Sequence, residues 1–169
     1  MLHAASADAG PAANAAQFVA GLQDEQAALA AFTELLRAEQ AALVEGNADY
    51  LAELCEKKAT QLELLTHLGE LRNRHLALQQ LAGNAEGMLT WIKRNPGFAA
   101  AVGKLWRELL AQAKAAHEVN QCNGVLIANR LQQNRVKLAA LQTAAGGEGV
   151  YRADGQLRPL RGARYLNQV

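Results

Sequence analysis

Nucleophiles and metal ligands are scarce in this chain, and none is spaced for chemistry. Ser6 is the only serine, in an alanine-rich opening stretch, so no base–serine pair of the hydrolase kind can be assembled. His67 and His75 are eight residues apart and His117 stands alone. None has a cysteine at ligand spacing, and no Glu-x-x-His pair of the di-iron kind is present. Gly146-Gly-Glu-Gly149 lacks the Gly-Lys-Ser/Thr that would make it a phosphate loop. Arg72-Asn-Arg74-His75 and Lys93-Arg94 are small basic groups without interleaved aromatics, better explained as solvated helix faces than as nucleic-acid contacts. No catalytic, metal or cofactor site is expected. What remains is the chemistry of contact, concentrated in Asn120-Gln-Cys-Asn123-Gly124-Val-Leu126-Ile127.

That stretch must be carried by a long helix. After Pro96 no proline occurs until Pro159, and an unbroken helix from Gly97 to Gln142 would be roughly 69 Å long at 1.5 Å per residue. Alternating steps of four and three link Trp106, Leu110, Ala113, His117, Asn120, Gly124, Ile127, Leu131, Asn134, Leu138 and Leu141, which is the pattern of a helix seam. Beside it Val102, Leu105, Leu109, Ala116, Val119 and Leu126 form a second stripe. Beyond Ala128 only one apolar line continues, so the far part is expected to pack against fewer neighbours. Asparagine in such a seam fixes register or partner number rather than adding stability. Gly124 costs about 1 kcal/mol against alanine in a helix interior, which predicts that a neighbour needs the space. The alternative is that Asn123 and Gly124 simply face water.

Two further helices should hold this one. In the first, about Ala15–Glu45, Leu22, Leu29, Leu36 and Leu43 recur every seven residues, with Phe18 and Phe32 each four before a member of the series. Gly46 suits the left-handed residue after a helix, and Asn47 or Asp49 can cap the next one. So short a connection folds the second helix, about Ala48–Leu81, back antiparallel. Leu51, Leu54, Leu62, Leu65 and Leu68 mark its inner face, flanked by Leu64, Leu71 and Leu78, and Gly83-Asn84 is read as its end. Met88–Lys93 could add a turn or two with Met88, Trp91 and Ile92 inward, before Asn95-Pro96 breaks the chain. The expected fold is all-α: an antiparallel helical hairpin plus a third long helix, an elongated three-helix bundle over residues 15–145. A disordered segment, residues 1–14, precedes it, and a flexible binding tail, residues 146–169, follows. The tail sets Arg152, Arg158, Arg161 and Arg164 against Glu148 and Asp154. It also carries Val150, Tyr151, Leu157, Leu160, Tyr165, Leu166 and Val169, too apolar for a solvating end and too short for its own core.

Composition agrees with a binding protein of this kind. The chain has 169 residues, half of them hydrophobic but only 5% aromatic, with a net charge of +1. Alanine, leucine and long polar residues favour helix, and the near-zero charge gives no case for nucleic acid or an acidic membrane. Two isolated cysteines, no signal-peptide pattern and no apolar run of membrane-spanning length are the marks of a soluble cytoplasmic protein.

Three groups of residues then carry a family resemblance. Leu35-Leu-Arg-Ala-Glu39-Gln40-Ala-Ala-Leu43, followed by Gly46-Asn-Ala-Asp49 and Leu51-x-x-Leu54-x-x-x-Lys58, resembles the helical hairpin of the FlgN family of flagellar export chaperones. Asn120-x-x-Asn123-Gly124-x-Leu126-Ile127 resembles that family's motif in the last long helix, and Tyr151-x-x-x-Gly155 its tail motif. The resemblance implies a cytoplasmic chaperone of the hook–filament junction proteins FlgK and FlgL. Such a chaperone keeps its clients unpolymerised and delivers them to the flagellar type III export gate through FlhA, so the membrane is reached only indirectly. It implies partner contacts at Asn120, Asn123, Gly124, Leu126 and Ile127, gate docking at Tyr151, and client capture after Thr143, where Leu157 and Leu160 lie. Leu131 and Leu138 extend the same apolar line. The competing expectation is a structural coiled-coil protein that associates with copies of itself, or an adaptor without an export role.

Overall fold

The computed structural model describes residues 10–144. Among them lie four helices: α1 (Pro11–Glu45), α2 (Ala48–Leu78), α3 (Ala85–Arg94) and α4 (Ala99–Ala144), and no strand. The expected all-α class holds. The chain divides into two units, residues 1–127 and 128–169, with the boundary inside the α4 sequence.

In the first unit α1 is the organising rod. Ala15, Phe18, Leu22, Glu25, Leu29, Phe32, Leu36, Glu39 and Leu43 are all buried, in alternating steps of three and four. The helix begins earlier than the sequence suggests, at Pro11 rather than near Ala15. Proline's fixed φ and missing N–H suit a first turn, and the alanines behind it propagate the helix. Gly46, at φ 81°, turns the chain in the left-handed region, and the N–H groups of Gly46 and Asn47 both donate to the Ala42 carbonyl. The Asn47 side chain then accepts from the Tyr50 N–H at 3.1 Å and caps α2.

α2 stops at Leu78, three residues short of the expected end. Gln80, at φ 59°, takes the left-handed position normally given to glycine, and the Leu81 N–H closes back on the Leu76 carbonyl at 2.9 Å. At Gly83 a Cβ would sit 3.0 Å from Cγ of Asn73, so that side chain would have to give by a few tenths of an ångström. Gly87 is tighter still: its missing Cβ would fall 1.8 Å from the Ala82 carbonyl oxygen. That close approach brings α3 against the bundle, with Met88 and Trp91 fully buried. Pro96 separates α3 from α4 cleanly, since residues 95–98 form a turn before α4 starts at Ala99.

α4 lies against α1 and α2 through Val102, Trp106, Leu109, Ala116 and Asn123, with Ala113, Val119 and Leu126 half-buried. This departs from the seam read in the sequence. Trp106 and Ala113 belong to both, but Leu110, His117, Gly124 and Ile127 are exposed. The column Val102, Leu109, Ala116, Asn123 also repeats every seven residues, and three of its members are apolar. A column holding His117 and Gly124 buries less apolar surface and loses to it. The space expected to be needed at Gly124 is open: a Cβ there meets nothing within 4 Å. In the second unit every described residue from Leu131 to Thr143 is exposed.

Candidate partner-binding surface

Two polar layers cross the apolar interior of the first unit. Glu39 of α1, only 5% exposed, forms an ion pair with Lys58 of α2 at 2.9 Å. The same ammonium donates to Oδ1 of Asn120 at 3.0 Å. Asn123, 1% exposed, donates from Nδ2 to Oε2 of Glu39, the oxygen that Lys58 also approaches, and to the Leu36 carbonyl, each at 2.8 Å. A carboxylate met by an ammonium and an amide is well satisfied, which is the condition for tolerating a charge at this depth. The second layer lies two heptads away on each helix. Glu25 pairs with Arg72, whose guanidinium stands 5.3 Å from the centroid of the Trp106 ring. Gln26 adds a hydrogen bond to Glu108 at 3.0 Å, tying α1 to α4 directly.

These layers place the sequence-predicted residues on two sides of α4. Asn123 is turned inward, its Nδ2 held within the chain and its Oδ1 without a hydrogen-bond partner among the described residues; Asn120 reaches the rim, held by Lys58. Gly124 and Ile127 are exposed and Leu126 is half-buried. Leu131 and Leu138, in the second unit, are more than half exposed. Tyr151, Leu157 and Leu160 lie outside the described residues. Beside Asn120 a shallow groove of about 270 Å³ runs between α2 and α4, floored by Leu62, Leu65, Ala113 and Ala116 and edged by His117. Glu39 and Lys58 are the residues that reasoning about sites missed. Their signal was present, since Glu25 and Glu39 occupy steps of the α1 seam that apolar residues fill elsewhere.

Among the described residues no three His, Cys, Asp or Glu side chains are grouped to hold a metal, and no helix is long and apolar enough to cross a membrane. His75 of α2 is half-buried. It stacks on Phe18 with ring centroids 4.2 Å apart, and burial there pushes its imidazole below the ordinary value.

A polar signature fixed by its own hairpin lies beside exposed apolar side chains on the same helix. Compared with protein families, residues 14–159 match the family described as FlgN protein. No curated protein and no solved structure matches the chain. The match spans the hairpin, the Asn120–Ile127 signature and Tyr151, and the chain therefore belongs to the FlgN family of flagellar export chaperones.

Proposed function

We propose that this protein binds the hook–filament junction proteins FlgK and FlgL in the cytoplasm, keeps them from polymerising early, and delivers them to the export gate through FlhA. The observation that carries this reading is the uncovered apolar line of α4. In the second unit Leu131, Leu138 and Leu141 are all exposed, in steps suited to an amphipathic client helix. Burying a leucine fully is worth about 1.5–3 kcal/mol, so three or four such contacts offset the ordering of a client segment and still allow release. Asn120 and Gly124 add a polar and a sterically open position on the same helix. Asn123 and Leu126 act from behind, by holding α4 against the hairpin. Leu157 and Leu160 extend the client contact and Tyr151 meets the gate, a reading supported by the resemblance of Tyr151-x-x-x-Gly155 to the family's tail motif. The protein works by contact and turns over no substrate.

Cutting the chain after Thr143 tests the assignment. Helical circular dichroism and melting should be unchanged, while calorimetric affinity for a FlgK or FlgL C-terminal fragment falls at least tenfold. Unchanged affinity removes the tail from client capture.

A further inference from the structure

The polar layer at Glu39 has an open side. Lys58 donates to both carboxylate oxygens of Glu39 and to Oδ1 of Asn120. An ammonium only donates, so the Asn120 amide has to turn its oxygen toward Lys58 and its nitrogen away. That Nδ2 meets no acceptor among the described residues. Asn120 lines the α2–α4 groove of about 270 Å³, together with Leu62, Leu65, Ala113, Ala116 and His117. The matching position two heptads earlier on α4 is Trp106, which lies over its own cation, Arg72, and is buried. Asn120 is exposed, so it leaves uncovered at its level what Trp106 covers at the other. One turn further on, a Cβ at Gly124 would meet nothing within 4 Å, and the approach along α4 is unobstructed.

We propose, resting on the client reading above, that Asn120 determines the specificity of that contact. Held by Lys58, its NH2 group reads a hydrogen-bond acceptor in the apolar stripe of a client helix seated in this groove. The chemistry of the groove narrows the occupant. At about 270 Å³ it falls below the ~300–1,000 Å³ of small-molecule sites, and a shallow cleft between two helices suits the side chains of a third. Lys58 is the only Lys, Arg, Asp or Glu that lines it, and Lys58 is already paired with Glu39. A charged side chain seated here is desolvated without a partner, so the acceptor has to be neutral. The client stripe is therefore apolar with one Asn or Gln, whose carbonyl accepts from Asn120. A single amide of this kind in a helix seam selects partner and register. The same hydrogen-bond sense argues against a second copy. About a two-fold axis through Asn120 each amide would offer donors to donors, because both oxygens are held by Lys58.

Calorimetry with the full chain and a FlgK or FlgL C-terminal fragment tests this. The natural fragment is compared with variants in which each Asn or Gln of its apolar stripe is replaced by Leu in turn. The unsubstituted protein should prefer the natural fragment over one of these by about tenfold, the effect of stranding one amide. Asn120→Leu, at an exposed site, should abolish or reverse that preference at unchanged helicity. Asn120→Asp keeps an acceptor for Lys58 and loses the donors, and should weaken the natural fragment by about tenfold. Glu39→Leu with Lys58→Met frees the amide to turn, and should shrink the preference while the fold is kept. Ala113→Leu fills the groove from within and should weaken all fragments alike.

A preference unmoved by Asn120→Leu, or affinities unmoved by Ala113→Leu, would overturn the proposal and leave the client reading standing. No binding of any fragment by the unsubstituted protein would end both. A client affinity raised by Ala113→Leu would give the groove to the chain's own tail. A dimer in sedimentation that Ala113→Leu abolishes would give it to a second copy, and either result displaces the client from it.

Discussion

Two glycines of this chain have opposite meanings at the scale of single residues. Gly87 has no room for a methyl group, since the Ala82 carbonyl oxygen occupies its place. Gly124 has room on every side and is kept in spite of its helix cost. Gly87→Ala should therefore force the α2–α3 turn apart and destabilise the fold by about 2–4 kcal/mol, read as a lowered melting temperature. Gly124→Ala should raise stability by about 0.5–1 kcal/mol in the isolated protein. If α4 receives a client at this position, the same substitution should also weaken client binding. A stabilised variant with unchanged client affinity would take Gly124 out of that contact. Composition cannot separate the two glycines, because the difference lies in what the next element brings within reach.

The helices behave as the heptads require, and their polar steps show where the pattern is legible and where it is not. The leucines of α1 announce themselves, and Gly46-Asn47 announces the hairpin. Glu25 and Glu39 read as breaks in the seam until Arg72 and Lys58 are placed opposite them. Those partners lie 47 and 19 residues away, beyond any local pattern. Asn123 was visible as a signature residue, but its inward direction depends on which of two neighbouring columns of α4 wins the core. Apolar content decides that, not the length of the repeat. A fully satisfied buried pair adds little net stability, whereas removing one partner strands the other. Glu39→Ala should accordingly cost about 2–3 kcal/mol, less than a fully buried pair because Lys58 can still reach water. Glu39→Leu with Lys58→Met should recover most of that loss in chemical denaturation. Failure to recover would mean that the layer stabilises the fold in its own right.

At the scale of the whole molecule, the proposed delivery role requires client and gate to hold the chaperone together at hand-over, so the two proposed surfaces have to be distinct. The apolar line of α4 is made of leucine and isoleucine, side chains that suit an amphipathic helix and confer little orientation. Tyr151 is of another type: a rigid ring with one hydrogen-bonding tip, the kind of side chain that dominates small docking contacts. It falls within the family match but outside the described residues, so the proposed gate contact is supported by membership and by residue chemistry. With a net charge of +1 the chain has no strong field for steering, so the proposed docking calls for a few specific contacts. Tyr151→Ala should then leave client affinity within about twofold while weakening FlhA capture at least tenfold, a loss near 1.4 kcal/mol or more. Paired pull-downs from one preparation, with immobilised FlhA cytoplasmic domain and with immobilised client, make the comparison direct. Normal capture by FlhA would remove Tyr151 from gate docking. Loss of both captures together would mean that the client and gate surfaces are not separate.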